Sequence, residues 1–77
     1  MSVVLLSQMI AGQSGRIKDL TGPHDLCHRL LEMGMTGGSL VEVVRFAPLG
    51  DPIDIKVRGY HLSLRRKEAD AIKVEIS

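Results

Sequence analysis

The sequence is poor in the residue types on which many functions depend. Only Phe46 and Tyr60 are aromatic among 77 residues, so no row of aromatic side chains is available to stack on nucleotide bases. Cys27 is the single cysteine, which excludes an intramolecular disulfide and favours a reducing, cytoplasmic setting. Ten basic residues against nine acidic ones leave a formal net charge of +1, without the basic excess that is typical of nucleic-acid binders. We therefore expect a cytoplasmic protein with no nucleic-acid partner.

Long apolar runs and catalytic motifs are missing as well. The start, MSVVLLSQMIAGQSG, has an apolar run that meets polar residues at Ser7 and Gln8, well short of the roughly 20 residues of a membrane-spanning helix. There is no GxxxxGK[ST] loop for a nucleotide phosphate and no GxSxG setting for a nucleophilic serine. We expect a protein that is not an enzyme, requires no cofactor and does not itself insert into a membrane.

Short strands separated by single glycine and proline residues account for most of the chain. Apolar and polar residues alternate strictly along IDIKVRGYHLSLRR, where Gly59 joins two halves and predicts the tight turn of a hairpin or a bulge. SLVEVVRFAP, residues 39–48, predicts a strand partly buried on both faces. The other predicted strands are SGRIKDLTG (14–22) and AIKVEIS (71–77). The segment RRKEADA (65–71), which leads into the last strand, predicts a helical turn. Five short strands and one main helix predict a single domain over residues 1–77, mainly β, built as a small, strongly bent antiparallel sheet or barrel of about five strands.

The segment PHDLCHRLLEMG, residues 23–34, predicts the main helix. Pro23 suits the first helical position, and Gly34 suits the left-handed residue just after the last turn. At about 100° per residue, Cys27 falls on the apolar face with the leucines, so we expect it to be buried rather than to bind a metal.

The opposite face of this helix carries potential metal ligands. His24, His28 and Glu32 are spaced i, i+4 and i+8, and two imidazoles one turn apart can hold a transition-metal ion with a nearby carboxylate. The alternative is an ordinary solvated face, because the stripe lacks the supporting partners that orient a dedicated site. Any metal here would be weakly bound, either Fe²⁺ or adventitious Zn²⁺, which outcompetes Fe²⁺ in the usual affinity order.

Three motifs in order resemble the FeoA family, the small cytosolic partner of the ferrous iron transporter FeoB. They are the L-x-x-M-G-x-x-x-G turn that begins at Leu30, the P-L-G-D-P loop that begins at Pro48, and Leu64–Arg66 before a Glu-Ala turn. The resemblance spans roughly residues 9–74. It implies an SH3-like β-barrel with a helical insertion, and a regulator or accessory of FeoB, a membrane protein with a cytosolic G domain. The resemblance also implies that the protein acts at the inner face of the membrane, where FeoB would hold it.

Two surface regions are candidates for contact with such a partner. One is the helix end with its Met and Gly turn, where we expect Met35 to be partly exposed, and the other is the loop from Leu49 to Pro52. The predicted partner-binding residues are Met33, Gly34, Met35, Leu49, Gly50, Asp51 and Pro52. The alternative is that these residues pack into the core and only shape the chain. Free strand edges would also allow the domain to pair with itself.

A second family resemblance keeps a different function open. A similar SH3-like module occurs at the C-terminus of metal-dependent repressors of the DtxR type, which implies a metal-sensing regulatory domain. The basic run Arg65, Arg66 and Lys67 allows phosphate binding, but a charged run at a strand end is usually solvated surface.

Overall fold

A computed structural model describes residues 2–76, and it contains one antiparallel sheet of six strands. The strands are β1 (Ser2–Leu5), β2 (Ser14–Leu20), β3 (Leu40–Phe46), β4 (Ile53–Val57), β5 (Tyr60–Leu64) and β6 (Ile72–Ile76). The helices are α1 (His24–Glu32), the single turn α2 (Arg66–Ala69) and a 3-10 helix at Leu6–Gln8. Ser77, the last residue of the final predicted strand, lies outside the described residues. The mainly β class with one main helix is confirmed.

The sheet has one strand more than predicted and does not close. Its order is β1-β6-β2-β3-β4-β5, so β1 and β5 lie at opposite edges and do not pair with each other. The predicted barrel of about five strands is therefore wrong in its closure and its strand number, and the antiparallel sheet that the sequence also allowed is the form observed. The extra strand is β1, which pairs with β6 from Ser2 opposite Ile76 to Leu5 opposite Lys73.

The core lies on one face of this sheet and is built from aliphatic side chains. In β4, Ile53, Ile55 and Val57 are all buried, as the alternating pattern predicts. In β3 only the inward Val41 and Val43 are buried, whereas Leu40 is 55% and Val44 39% exposed. The prediction of a strand partly buried on both faces therefore holds for one face only, because the core packs against one face of the sheet and leaves Leu40 and Val44 exposed. The other fully buried large side chains are Leu6, Leu30, Met35, Leu64, Ile72 and Val74.

A two-residue turn joins β4 to β5, as the sequence predicts. Arg58 and Gly59 both have positive φ, at 52° and 86°. Two central residues of this kind form a type I′ turn, whose twist matches that of the flanking strands. The turn fixes the register in which Val57 pairs with Tyr60 and Ile53 with Leu64.

Helix α1 packs on the core through a narrow stripe. It begins at His24, so Pro23 is the extended residue before the helix rather than its first member, with φ −59° and ψ 146°. Only Leu30 is completely buried, whereas Leu31 is 47% exposed. Cys27 is half-buried, and its thiol lies 3.8 Å from the Gly22 carbonyl oxygen, so full burial of Cys27 is wrong. The helix covers the core with one row of side chains and leaves its flanks accessible.

Candidate docking surface

The end of α1 is closed by a Schellman motif. Gly34 has φ +97° and donates its N–H to the Leu31 carbonyl at 3.0 Å, and the next N–H, of Met35, reaches the Leu30 carbonyl at 3.0 Å. This reversal brings Met35 back over Leu30, and both side chains are fully buried. The expectation that Met35 is partly exposed is wrong, because the residue after a left-handed glycine packs on the last turn instead of pointing to solvent.

Strand β5 holds the same helix end in place. The Tyr60 hydroxyl donates a hydrogen bond to the Met33 carbonyl oxygen. A Cβ atom on Gly34 would lie 2.7 Å from that hydroxyl oxygen, so a larger residue there would displace the tyrosine side chain. Met33 and Gly34 are half-buried and remain partly accessible beside Tyr60, which is 42% exposed.

The loop between β3 and β4 presents one apolar side chain to solvent. Leu49 is 95% exposed, the highest value among the large hydrophobic residues described. The loop is internally bonded, since Gly50 N–H donates to the Ala47 carbonyl at 2.7 Å and Ala47 N–H to the Pro52 carbonyl at 3.0 Å. A side chain held out by such a loop can enter a partner's pocket without first losing backbone freedom.

The loop is also tied to α2. Asp51 Oδ1 accepts a hydrogen bond of 3.0 Å from the backbone N–H of Arg66. The two predicted contact regions thus rest on different elements, the helix end on β5 and the loop on α2. Leu49 and Asp51 are exposed, and Gly50 and Pro52 are half-buried.

The predicted metal ligands lie together on the exposed side of α1. The His24 and His28 ring centroids are 6.2 Å apart with the rings tilted by 32°, and His28 Nδ1 lies 3.7 Å from Glu32 Oε1. The side chains of His28 and Glu32 are 65% and 69% exposed. Within residues 2–76, no three His, Cys, Asp or Glu side chains are grouped so that they could hold a metal ion. Metal binding by this stripe remains a prediction.

A groove between α1 and α2 escaped the sequence analysis. It has a volume of about 570 Å³, and its lining includes Pro23, Leu26 and Ala71. Arg29 and Glu68, also in the lining, form an ion pair at 2.9 Å that joins the two helices. No local sequence signal indicates the groove, because its lining comes from segments more than 30 residues apart in the chain.

A polar cluster crosses the outer face of β3, β4 and β5. Asp54 accepts a 2.7 Å hydrogen bond from the Ser63 hydroxyl and a 2.9 Å bond from Arg45 Nε. These two bonds, with a smaller contribution from the positive charge of Arg45, hold the pKa of Asp54 below its ordinary value. These side chains link β3, β4 and β5 across the outer face of the sheet.

The part of the chain that the structure describes contains no helix long and apolar enough to cross a membrane.

Comparison with known proteins identifies the family. The family model described as "FeoA domain" matches residues 4–76. A Porphyromonas gingivalis protein named as a fusion of Fe(2+) transport protein A and the Fe(2+) transporter FeoB is 38% identical over 71 residues. The match covers 92% of this chain but only 8% of that fusion protein.

Solved structures agree in fold. Iron(II) transport protein A from Clostridium thermocellum has a TM-score of 0.89 at 41% identity, over 95% of this chain and 45% of that one. FeoA from Stenotrophomonas maltophilia, solved with zinc and described as an SH3 domain protein, has a TM-score of 0.82 at 26% identity, over 94% and 89% of the two chains. A manganese-dependent transcriptional repressor shares the fold alone, with a TM-score of 0.91 at 16% identity over 100% of this chain and 38% of that one. Since the family model matches residues 4–76, nearly the whole chain, the chain belongs to the FeoA domain family.

Proposed function

We propose that this protein is a non-catalytic accessory and regulator of the ferrous iron transporter FeoB, and that it acts in Fe²⁺ uptake by direct protein contact. The observation that carries the proposal is the Porphyromonas gingivalis fusion, in which a region 38% identical to this chain shares one polypeptide with FeoB. A covalent link of this kind keeps two domains at a high effective concentration. The fusion therefore supports direct contact between the FeoA domain and FeoB.

The contact surface in this proposal centres on Leu49. This side chain is exposed, apolar and held by a bonded loop, which are the properties of an anchor residue. Gly50, Asp51 and Pro52 shape the loop. Met33 and Gly34 lie beside Tyr60, at the opposite end of β5 from this loop, so their role in docking stays a separate prediction. Met35 has no contact role here, since it lies in the core. The domain works in the cytoplasm, at the inner face of the membrane where FeoB holds it.

Uptake of ferrous iron by cells tests this function. A strain that lacks the gene is complemented with the wild type, with Leu49→Asp or with Leu40→Asp. Leu40 is a matched control, since it is 55% exposed but lies at the opposite end of β3 from the loop. Losing an anchor leucine weakens binding by about 5- to 30-fold, so we expect Leu49→Asp to reduce uptake toward the deletion strain. The proposal would be contradicted if the Leu49→Asp protein were folded and normally abundant and the strain still took up iron at the wild-type rate.

A second candidate function is metal sensing through His24, His28 and Glu32. The observation that favours it is the adjacency of the two imidazoles and the carboxylate on one exposed helix face. Sensing would require Fe²⁺ to bind there and to change the contact with FeoB.

Calorimetric titration of Fe²⁺ under anaerobic conditions separates the two functions. The wild type and a His24→Ala/His28→Ala variant are each titrated with and without FeoB. Our account predicts at most weak binding by two exposed ligands and a carboxylate, and FeoB contact unchanged in the variant. Tight binding by the wild type alone, together with altered FeoB contact, would establish the sensor instead.

A further inference from the structure

Three basic residues lie at the start of α2, and one of them, Arg66, lies directly beside the exposed Leu49 loop. Arg65, Arg66 and Lys67 surround the start of α2, and all three are exposed. A Cβ atom built on Gly50 would lie 3.5 Å from Nη1 of Arg66, so the guanidinium group rests against the residue next to Leu49. The Asp51 carboxylate holds the loop against the start of α2, because it accepts a hydrogen bond from the backbone N–H of Arg66.

None of the three basic side chains forms an ion pair among the described residues. Within residues 2–76 the ion pairs are His28–Glu32, Arg29–Glu68 and Arg45–Asp54, and none of them involves this basic turn. Glu68, the closest acidic residue in sequence, already pairs with Arg29 and accepts the Arg65 backbone N–H. Asp51 accepts the backbone N–H of Arg66 and forms no ion pair with these side chains. The result is a surface with a protruding leucine and three basic side chains that have no ion-pair partner among the described residues.

We propose that Leu49 and the basic turn Arg65–Lys67 form one docking surface, and that its occupant is an acidic protein surface with an apolar pocket for Leu49. This inference rests on the proposed function, since it states the chemistry that FeoB must offer. Charge complementarity of this kind steers the encounter and fixes the register, while the buried anchor slows dissociation.

A protein suits this surface better than a lipid bilayer. A single myristoyl chain gives only marginal membrane binding, and one leucine side chain is much smaller than that chain. The fixed backbone around Leu49 also matches a shaped pocket, whereas a fluid acyl layer gains nothing from a fixed side chain.

The experiment measures binding of the full chain to full-length cognate FeoB in nanodiscs of neutral lipid, at about 0.05 M and 0.3 M salt. Besides the wild type, it uses Leu49→Ala, Arg65→Glu/Lys67→Glu and the control pair Lys18→Glu/Lys56→Glu. The control makes the same change of net charge at two exposed lysines of β2 and β4 that also lack an ion pair among the described residues. Urea unfolding confirms that each variant is folded. Arg65→Gln/Lys67→Gln replaces the reversed pair if that variant is not.

The inference predicts that Arg65→Glu/Lys67→Glu and Leu49→Ala each weaken binding by about tenfold or more, and that the control pair changes it little. It also predicts that wild-type binding weakens with salt and that the reversed pair loses most of this dependence. Binding by both variants at wild-type strength would overturn the inference and leave the proposed function standing. Absence of wild-type binding would overturn both. Binding to vesicles of phosphatidylserine and phosphatidylcholine is measured in parallel. Binding of these vesicles by the wild type, but not by Arg65→Glu/Lys67→Glu, would also overturn the inference.

Discussion

Gly34 carries two constraints at once at the end of α1. Its φ of +97° is in the left-handed region, which L-amino acids with a Cβ occupy at a cost of about 1–2 kcal/mol. The site of its missing Cβ is 2.7 Å from the Tyr60 hydroxyl oxygen, which donates to the Met33 carbonyl. One glycine thus allows both the helix end and its attachment to β5.

The replacement Gly34→Ala tests both constraints together. We expect the free energy of unfolding to fall by about 2–3 kcal/mol, from backbone strain and loss of the tyrosine hydrogen bond. Urea denaturation measures the change. Gly37→Ala is the matched control, because no heavy atom lies within 4 Å of its Cβ position, and it should change stability by less than about 0.5 kcal/mol. Equal effects of the two replacements would show that Gly34 is not constrained in this way.

Met35 and Leu49 show what the sequence can predict of the candidate surface. Both are apolar residues beside turn glycines, and the sequence pattern grouped them together. The Schellman bonds return Met35 to the core, whereas the hydrogen bonds of the loop hold Leu49 outside, at 0% and 95% exposure. The glycine predicts the turn, but the direction of the next side chain depends on backbone bonds that span several residues.

At the scale of elements, local patterns predicted most of the secondary structure. The alternation in β4 and β5 and the left-handed residues at their turn follow from period-two burial and turn geometry, which are local. Strand β1 did not follow from any local pattern. Val3 is 49% exposed and Leu6 is buried, with no alternation between them, and the strand exists because β6 supplies its hydrogen-bonding partner about 70 residues later in the chain.

The outer face of β3, β4 and β5 gives stability that depends on pH. Because hydrogen bonds from Ser63 and Arg45 lower the pKa of Asp54 in the folded state, its carboxylate stabilises the fold above the unfolded pKa of about 3.9. This contribution is lost as the pH falls through the lower, folded pKa. Urea unfolding between pH 7 and pH 2.5 should therefore show a steeper acid loss for the wild type than for Asp54→Asn. Parallel curves for the two proteins would mean that Asp54 does not carry this effect.

At the scale of the whole molecule, the sheet stays open and leaves β1 and β5 as edges. Composition and pattern predicted strongly bent antiparallel strands, but closure depends on whether the first and last strands of the sheet meet, which no local signal encodes. Because these edges are open, pairing of the domain with a second copy of itself stays a prediction. The groove between α1 and α2 likewise exists only once distant segments have packed.

Direct contact between Leu49 and FeoB is the central claim, and photo-crosslinking in cells tests it most directly. Benzoylphenylalanine is introduced at position 49 or, as the control, at position 40, which is also exposed but lies at the far end of β3. Irradiation during growth on ferrous iron is followed by detection of crosslinked FeoB. The account predicts a FeoB adduct from position 49 and little or none from position 40. No adduct from position 49, in cells where the protein is folded and supports iron uptake, would contradict it.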